Sequence, residues 1–136
     1  MSIVIDASVA LKWVFDEPGT EAALALQGEQ LIAPELWLAE AANALWRHVR
    51  LGEITAVEAR ARMEELANAP VASLAIAPHV ARALQFAMEL LHPVYDCFYL
   101  TLADHYDTFV ITDDRRFAAA VAARPDLAGR IRLLVN

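Results

Sequence analysis

Ile3-Val4-Ile5-Asp6-Ala7-Ser8-Val9-Ala10-Leu11-Lys12-Trp13 decides the fold. Its first three residues form an unbroken apolar run, the pattern of a strand buried on both faces. Asp6 closes the run, and residues 8–14 read as a short helix stopped before Pro18-Gly19. The same alternation continues down the chain. Thr20 is placed to cap a helix over residues 21–27, with Gly28 beyond its end. Residues 31–33 read as a short strand before Pro34, and residues 36–51 as a long helix ending at Gly52. Thr55 and Glu58 form a capping box for a helix reaching Asn68. Strands are predicted over residues 71–76, 109–111 and 131–135, with helices over 78–91, 95–106 and 115–123. Apolar strands separated by helices of this length imply βαβ units. The expected fold is α/β: a central, mostly parallel sheet flanked by helices on both faces, in one domain covering residues 1–136.

Composition narrows the function classes. The chain has 136 residues, enough to bury a core without staples. Its one cysteine, Cys97, permits no internal disulfide, fits a reducing cytoplasm and reads as a buried, inert thiol. Asp6 interrupts the first apolar stretch and no basic region precedes it, so the N-terminus does not read as a signal peptide. No uncharged apolar run approaches the ~18 residues of a membrane span. Hydrophobic residues nevertheless make up 58% of the chain, an excess that points to burial against a partner or a second copy. The net charge of −7 argues against non-specific nucleic-acid binding through the whole surface. A cleft that concentrates acids and holds a metal ion would reverse that sign locally.

Asp6, Glu40, Asp96 and Asp114 stand on or beside apolar segments, far apart in sequence. Asp6 and Asp114 each fall just past the carboxyl end of a strand, the edge where open parallel sheets bind ligands. Each of the two, and Asp96 after Pro93, also has a plain structural reading as a helix cap. On the long helix, Glu40, Asn43, Arg47 and Arg50 occupy one sector of about 80°, with Leu38, Ala41, Ala42, Leu45, Trp46 and Val49 opposite. The stripe is either a solvated face or the lining of a cleft. Gathered by a fold, the four acids supply hard oxygen donors suited to Mg²⁺ or Mn²⁺. Rival chemistries lack their parts. His48, His79, His92 and His105 have no zinc-type spacing. No G-x-S-x-G elbow is present, Ser8 replaces the second acid of a D-x-D phosphatase, and four glycines form no phosphate-binding loop.

These segments resemble the PIN-domain nucleases, most closely the VapC toxins of bacterial toxin–antitoxin pairs. The opening segment looks like the family's first motif and Glu40-Ala41-Ala42-Asn43-Ala44-Leu45 like its second. Tyr95-Asp96-Cys97-Phe98-Tyr99-Leu100-Thr101-Leu102-Ala103 looks like the third, and Ile111-Thr112-Asp113-Asp114-Arg115-Arg116-Phe117 like the T-x-D pattern of the fourth. The resemblance spans nearly the whole chain. It implies a PIN-like fold and metal-dependent RNA cleavage by Asp6, Glu40, Asp96 and Asp114. Asp6 and Asp114 are the expected direct ligands. Glu40 and Asp96 would act through water, on a second ion, or on the attacking water. Ser8, Asn43, Thr112 and Asp113 are expected around them, with Asp113 alternatively a cap. Lys12, Arg47 and Arg115 are expected to approach the RNA phosphates. The implied partners are RNA, a second copy of the chain, and a cognate VapB-like antitoxin that carries any contact with DNA. Two alternatives remain at this stage: a PIN-type nuclease of RNA maturation without an antitoxin, and a non-catalytic RNA-binding or dimerisation module.

Overall fold

The computed structural model describes residues 1–135. Its strands are β1 (Ser2–Ile5), β2 (Gln30–Pro34), β3 (Val71–Leu74), β4 (Val110–Thr112) and β5 (Ile131–Leu133). They form a single sheet in the order β3-β2-β1-β4-β5, and every pairing is parallel. The expected α/β architecture is therefore observed. Consecutive strand residues point to opposite faces. Val4 and Ile5 are both buried, as are Leu31, Ile32 and Ala33, so helices and loops cover the sheet on both sides.

The helices are α1 (Ala7–Ala10), α2 (Thr20–Ala25), α3 (Leu36–Arg50), α4 (Ala56–Ala67), α5 (Val80–Leu90), α6 (Val94–His105) and α7 (Arg115–Ala122). The most deeply placed is α6, whose residues from Cys97 through Ala103 are all buried. It packs against β1, β2 and β4, so a helix with almost no solvent face forms the floor of the core. The Cys97 thiol is buried there, and desolvation followed by the nearby Asp96 charge pushes its pKa up to about 11. The inert-thiol reading fits.

Local chemistry sets the element ends. The Thr55–Glu58 capping box opens α4 as the sequence predicts. At the far end of α3, Gly52 adopts φ 74, and the Gly52 and Glu53 amides return to the Val49 and His48 carbonyls. Two caps differ from expectation. Gly19, at φ 94, occupies the N-cap of α2, while the Thr20 hydroxyl donates to the Phe15 carbonyl and accepts from the Glu17 amide. The turn before α2 claims that hydroxyl first. Pro78 lies in a 3₁₀ turn ahead of α5, which begins two residues later. Trp46, expected on the buried side of α3, is 55% exposed, because only a narrow stripe through Trp37, Ala41, Ala44 and Leu45 faces the core.

From β1 the chain moves outward through β2 to β3, then returns to place β4 on the other side of β1. The carboxyl ends of β1 and β4 are thus a topological switch point, where adjacent loops diverge and leave a crevice. Asp6 follows β1 there, and Asp113-Asp114 follows β4.

Candidate active site

Asp6 and Asp114 both cap helices, and both also face the crevice. The Asp6 side chain accepts from the Ser8 amide at 3.4 Å, at the start of α1. Asp114 Oδ1 accepts from the Arg116 and Phe117 amides at 3.0 and 3.1 Å, opening α7. The capping and site readings are compatible: the Asp114 cap uses only Oδ1, and each Asp6 oxygen accepts one hydrogen bond and keeps a further lone pair. Thr112 ties the two acids together from beneath. Its buried hydroxyl donates to Asp6 Oδ2 at 2.6 Å and accepts from the Asp114 amide at 3.0 Å. Alongside, Ser8 Oγ accepts from the Asp113 amide at 3.0 Å, a second bond between the β1 and β4 ends.

Glu40 arrives from the second turn of α3 and Asp96 from the first turn of α6. Asp96 is not a cap; Pro93 holds that position, and no side chain bonds there. The positive end of the α6 dipole favours a carboxylate at this point. The Tyr99 hydroxyl donates to Glu40 Oε1 at 2.6 Å, and His92 Nε2 lies 2.7 Å from Asp96 Oδ2. Among the described residues, no protein donor reaches Glu40 Oε2, Asp96 Oδ1 or Asp114 Oδ2. Each of these acids is anchored by one oxygen and leaves the other for a ligand.

Asp6, Glu40, Asp96 and Asp114 line one cleft of about 240 Å³, together with Ala7, Ser8, Leu11, Ala44 and Arg47. A larger hollow of about 370 Å³ between Trp13, Leu24 and Leu66 has a single acid, Glu65, in its wall. Chemistry rather than size distinguishes the smaller one. Burial, opposed by the Thr112 hydrogen bond and reinforced by the Asp96 charge, pushes Asp6 up to about 6. Burial likewise pushes Glu40 up to about 7, against the Tyr99 hydrogen bond and with the charges of Asp6 and Asp96. Burial and the neighbouring carboxylates hold the Tyr99 phenol far above its ordinary value, so it remains a donor.

The site suits a hydrated divalent cation. Four anchored carboxylates, three of them with an open oxygen, share a crevice with a single arginine in its wall and are hard donors for a cation. Among the described residues, no three acidic, histidine or cysteine side chains converge closely enough to enclose a bare ion. Mg²⁺ needs no such cage, because it retains several waters and takes one or two carboxylates directly.

The flanking residues divide. Ser8 and Arg47 line the cleft, and Thr112 lies directly behind Asp6. Asn43 is exposed on α3 and is not part of the cleft wall. Lys12, expected to meet phosphate, is buried, and its ammonium is already taken by the Pro18 carbonyl at 2.6 Å and by Glu17 and Asp113 at 3.2 Å each. Burial lowers its pKa, but the two carboxylates more than offset this and hold it above the ordinary value. Arg115 is not part of the acidic cleft wall and instead lines a separate hollow with Ala118, Ile131 and Leu133. Arg47 is therefore the one cation in the cleft wall among the described residues. Sequence reasoning passed over Tyr99 and His92. Their signal was spacing: Tyr99 lies three residues after Asp96 and His92 four before it.

A wholly parallel α/β sheet with an acidic cleft at its switch point describes a class of fold and site, and comparison supplies the family. The PIN domain model matches residues 3–122, and the chain belongs to the PIN-domain family. Within it the chain is VapC-like. It is similar to Ribonuclease VapC1 of Mycobacterium tuberculosis, 36% identical over 104 residues that cover 75% of this chain and 73% of that protein. It is also similar to Ribonuclease VapC3 of Pyrobaculum aerophilum, 35% identical over 125 residues, 87% of this chain and 93% of that protein. The crystal structure of PAE2754 from Pyrobaculum aerophilum shares the fold, with a TM-score of 0.73 at 23% identity over 96% of this chain and 83% of that one.

Proposed function

We propose that this chain is a metal-dependent endoribonuclease and the toxin of a type II toxin–antitoxin pair. The observation that carries the reading is the cleft at the switch point, where four separated segments each contribute one anchored carboxylate. Similarity to two proteins named ribonucleases supports RNA as the substrate.

Asp6 and Asp114 are the proposed direct ligands of Mg²⁺ or Mn²⁺, with Asp96 completing the site through its open Oδ1. Such an ion, when bound, supplies positive charge that offsets the phosphodiester anion. Arg47 positions the phosphate from the α3 wall. Glu40, with a pKa near 7, is matched to general-base work near neutrality. It takes a proton from the attacking water at Oε2 while Tyr99 fixes Oε1. The water oxygen bonds to phosphorus, the phosphorus–oxygen bond to the leaving sugar breaks, and solvent protonates the leaving oxygen. Thr112 holds Asp6 and Asp114 in register, and Ser8 holds the Asp113 backbone.

The proposed partners are a VapB-like antitoxin and a second copy of the chain. Exposed apolar side chains support them: Trp46 on α3, and Val80, Leu84 and Met88 along α5. Among the described residues, no helix is long and apolar enough to cross a membrane.

Inducing the chain in cells and sequencing RNA 5′ ends tests the activity and identifies the target together. The expected result is a small set of new ends that are absent with Asp6→Asn. Identical 5′ ends in both strains contradict the reading.

A further inference from the structure

We propose that His92 is a positioning residue for Asp96, fixing that carboxylate so that Oδ1 is presented to a divalent cation; this rests on Asp96 belonging to the metal site. His92 Nε2 lies 2.7 Å from Asp96 Oδ2, and the two side chains are 7% and 21% exposed. An ionised carboxylate only accepts, so the ring nitrogen donates.

The ring is held from its other side as well. It stacks on Phe117 with centroids 5.2 Å apart and planes 29° from parallel. Phe117 is fully buried, and its amide donates to Asp114 Oδ1 at 3.1 Å. A continuous chain of contacts therefore runs from Asp114 through Phe117 and His92 to Asp96, linking two acids of the cleft by a route outside it.

The turn carrying His92 is built against ordinary sorting. Leu91 takes a left-handed conformation, φ 52, and is 92% exposed. The His92 amide donates to the Ala87 carbonyl at 3.1 Å, and Pro93 follows directly as the N-cap of α6. A leucine is thus turned to solvent and a histidine inward, the reverse of what hydrophobicity alone selects. The inward place is accounted for by the bond to Asp96. Donors of this kind fix the orientation of a ligating carboxylate, and their loss typically costs 10- to 100-fold in metal affinity.

The test is Mn²⁺ binding to the full chain, read from the free-ion paramagnetic resonance signal, with melts recorded in parallel. His92→Phe keeps the ring against Phe117 and removes the donor; the expected result is an unchanged melt and Mn²⁺ binding weakened about 10-fold or more. His92→Gln restores a donor, and binding is expected within about threefold of the original. Asp96→Asn is expected to weaken binding at least as much as His92→Phe. Normal binding in His92→Phe beside weak binding in Asp96→Asn overturns the role of His92 alone. Normal binding in Asp96→Asn removes Asp96 from the metal site, and both readings fall. Equal weakening in the Phe and Gln variants assigns the loss to the ring and not to the donor, which also overturns the proposal. Nitrogen NMR of the unsubstituted protein covers a His92→Phe variant that fails to fold. The neutral ring is expected to carry its proton on Nε2, and a proton on Nδ1 alone contradicts the bond.

Discussion

Raising the pH from about 4 to about 7 in the presence of chelator is expected to destabilise the protein, and Asp6→Asn to remove much of that loss. Asp6 moves from 3.8 to about 6 on folding, mainly through burial. Between those values the folded chain keeps a proton that the unfolded chain has released. Stability therefore falls as pH rises through the window. At ~1.4 kcal/mol per unit, the Asp6 loss is about 3 kcal/mol in all, absent well below pH 3.8 and complete above pH ~7. Glu40 adds a smaller loss of the same sign, discounted because its carboxylate is partly exposed. His79, held below its ordinary value by burial and then by His105, acts in the opposite sense over the same range. The informative quantity is thus the difference between the two proteins. Denaturant midpoints measured from pH 4 to 7 should give a profile flatter by about 2 kcal/mol for Asp6→Asn, since part of the loss is already complete at pH 4. Parallel profiles would refute the claim that a buried, charge-crowded carboxylate sits at the end of β1.

Three other perturbations follow from the same contacts. Tyr99→Phe deletes the donor to Glu40 Oε1, so the Glu40 carboxyl should titrate about one unit higher by carbon NMR; an unchanged titration removes Tyr99 from the site. Lys12→Met leaves Glu17, Asp113 and the Pro18 carbonyl without their shared donor and should cost about 1–3 kcal/mol in chemical denaturation, with RNA affinity unchanged. A selective loss of RNA binding there would return Lys12 to the substrate surface. Trp46→Ala should change stability by no more than about 0.5 kcal/mol, since the ring is exposed and its one cation–π partner, Arg50, is a surface group; a loss typical of a core aromatic would place Trp46 inside.

The parallel sheet was legible because Ile3-Val4-Ile5 and Leu31-Ile32-Ala33 are unbroken apolar runs, and only a strand covered on both faces demands that. The position of Asp6 at a strand end followed from the first of these runs, and that of Asp114 from Phe109-Val110-Ile111. The meeting of all four acids in one cleft was an expectation that needed the fold, because Glu40 and Asp96 arrive on separate helices. Of the three expected cations, Arg47 lines the cleft and Lys12 and Arg115 do not. Proximity in sequence to an acid says nothing of what already holds a charge: Lys12 is consumed by the Pro18 turn, and Arg115 lines a hollow other than the acidic cleft. Trp46 was misjudged because a long helix packed along a single stripe leaves large apolar residues outside. His92 and Tyr99 were hidden by degeneracy, since a histidine or tyrosine near an acid on a helix is ordinary until the rings are seen to turn inward.

The decisive measurement is cleavage of labelled RNA by the purified chain. The reaction is run with Mn²⁺ or Mg²⁺, with chelator, and with Asp6→Asn at matched folded concentration. Discrete products are expected with metal, none with chelator, and a loss of about 100-fold or more in Asp6→Asn, the scale of removing a group that stabilises developing charge. Full cleavage by Asp6→Asn, or equal cleavage in chelator, would contradict metal-dependent cleavage at this site.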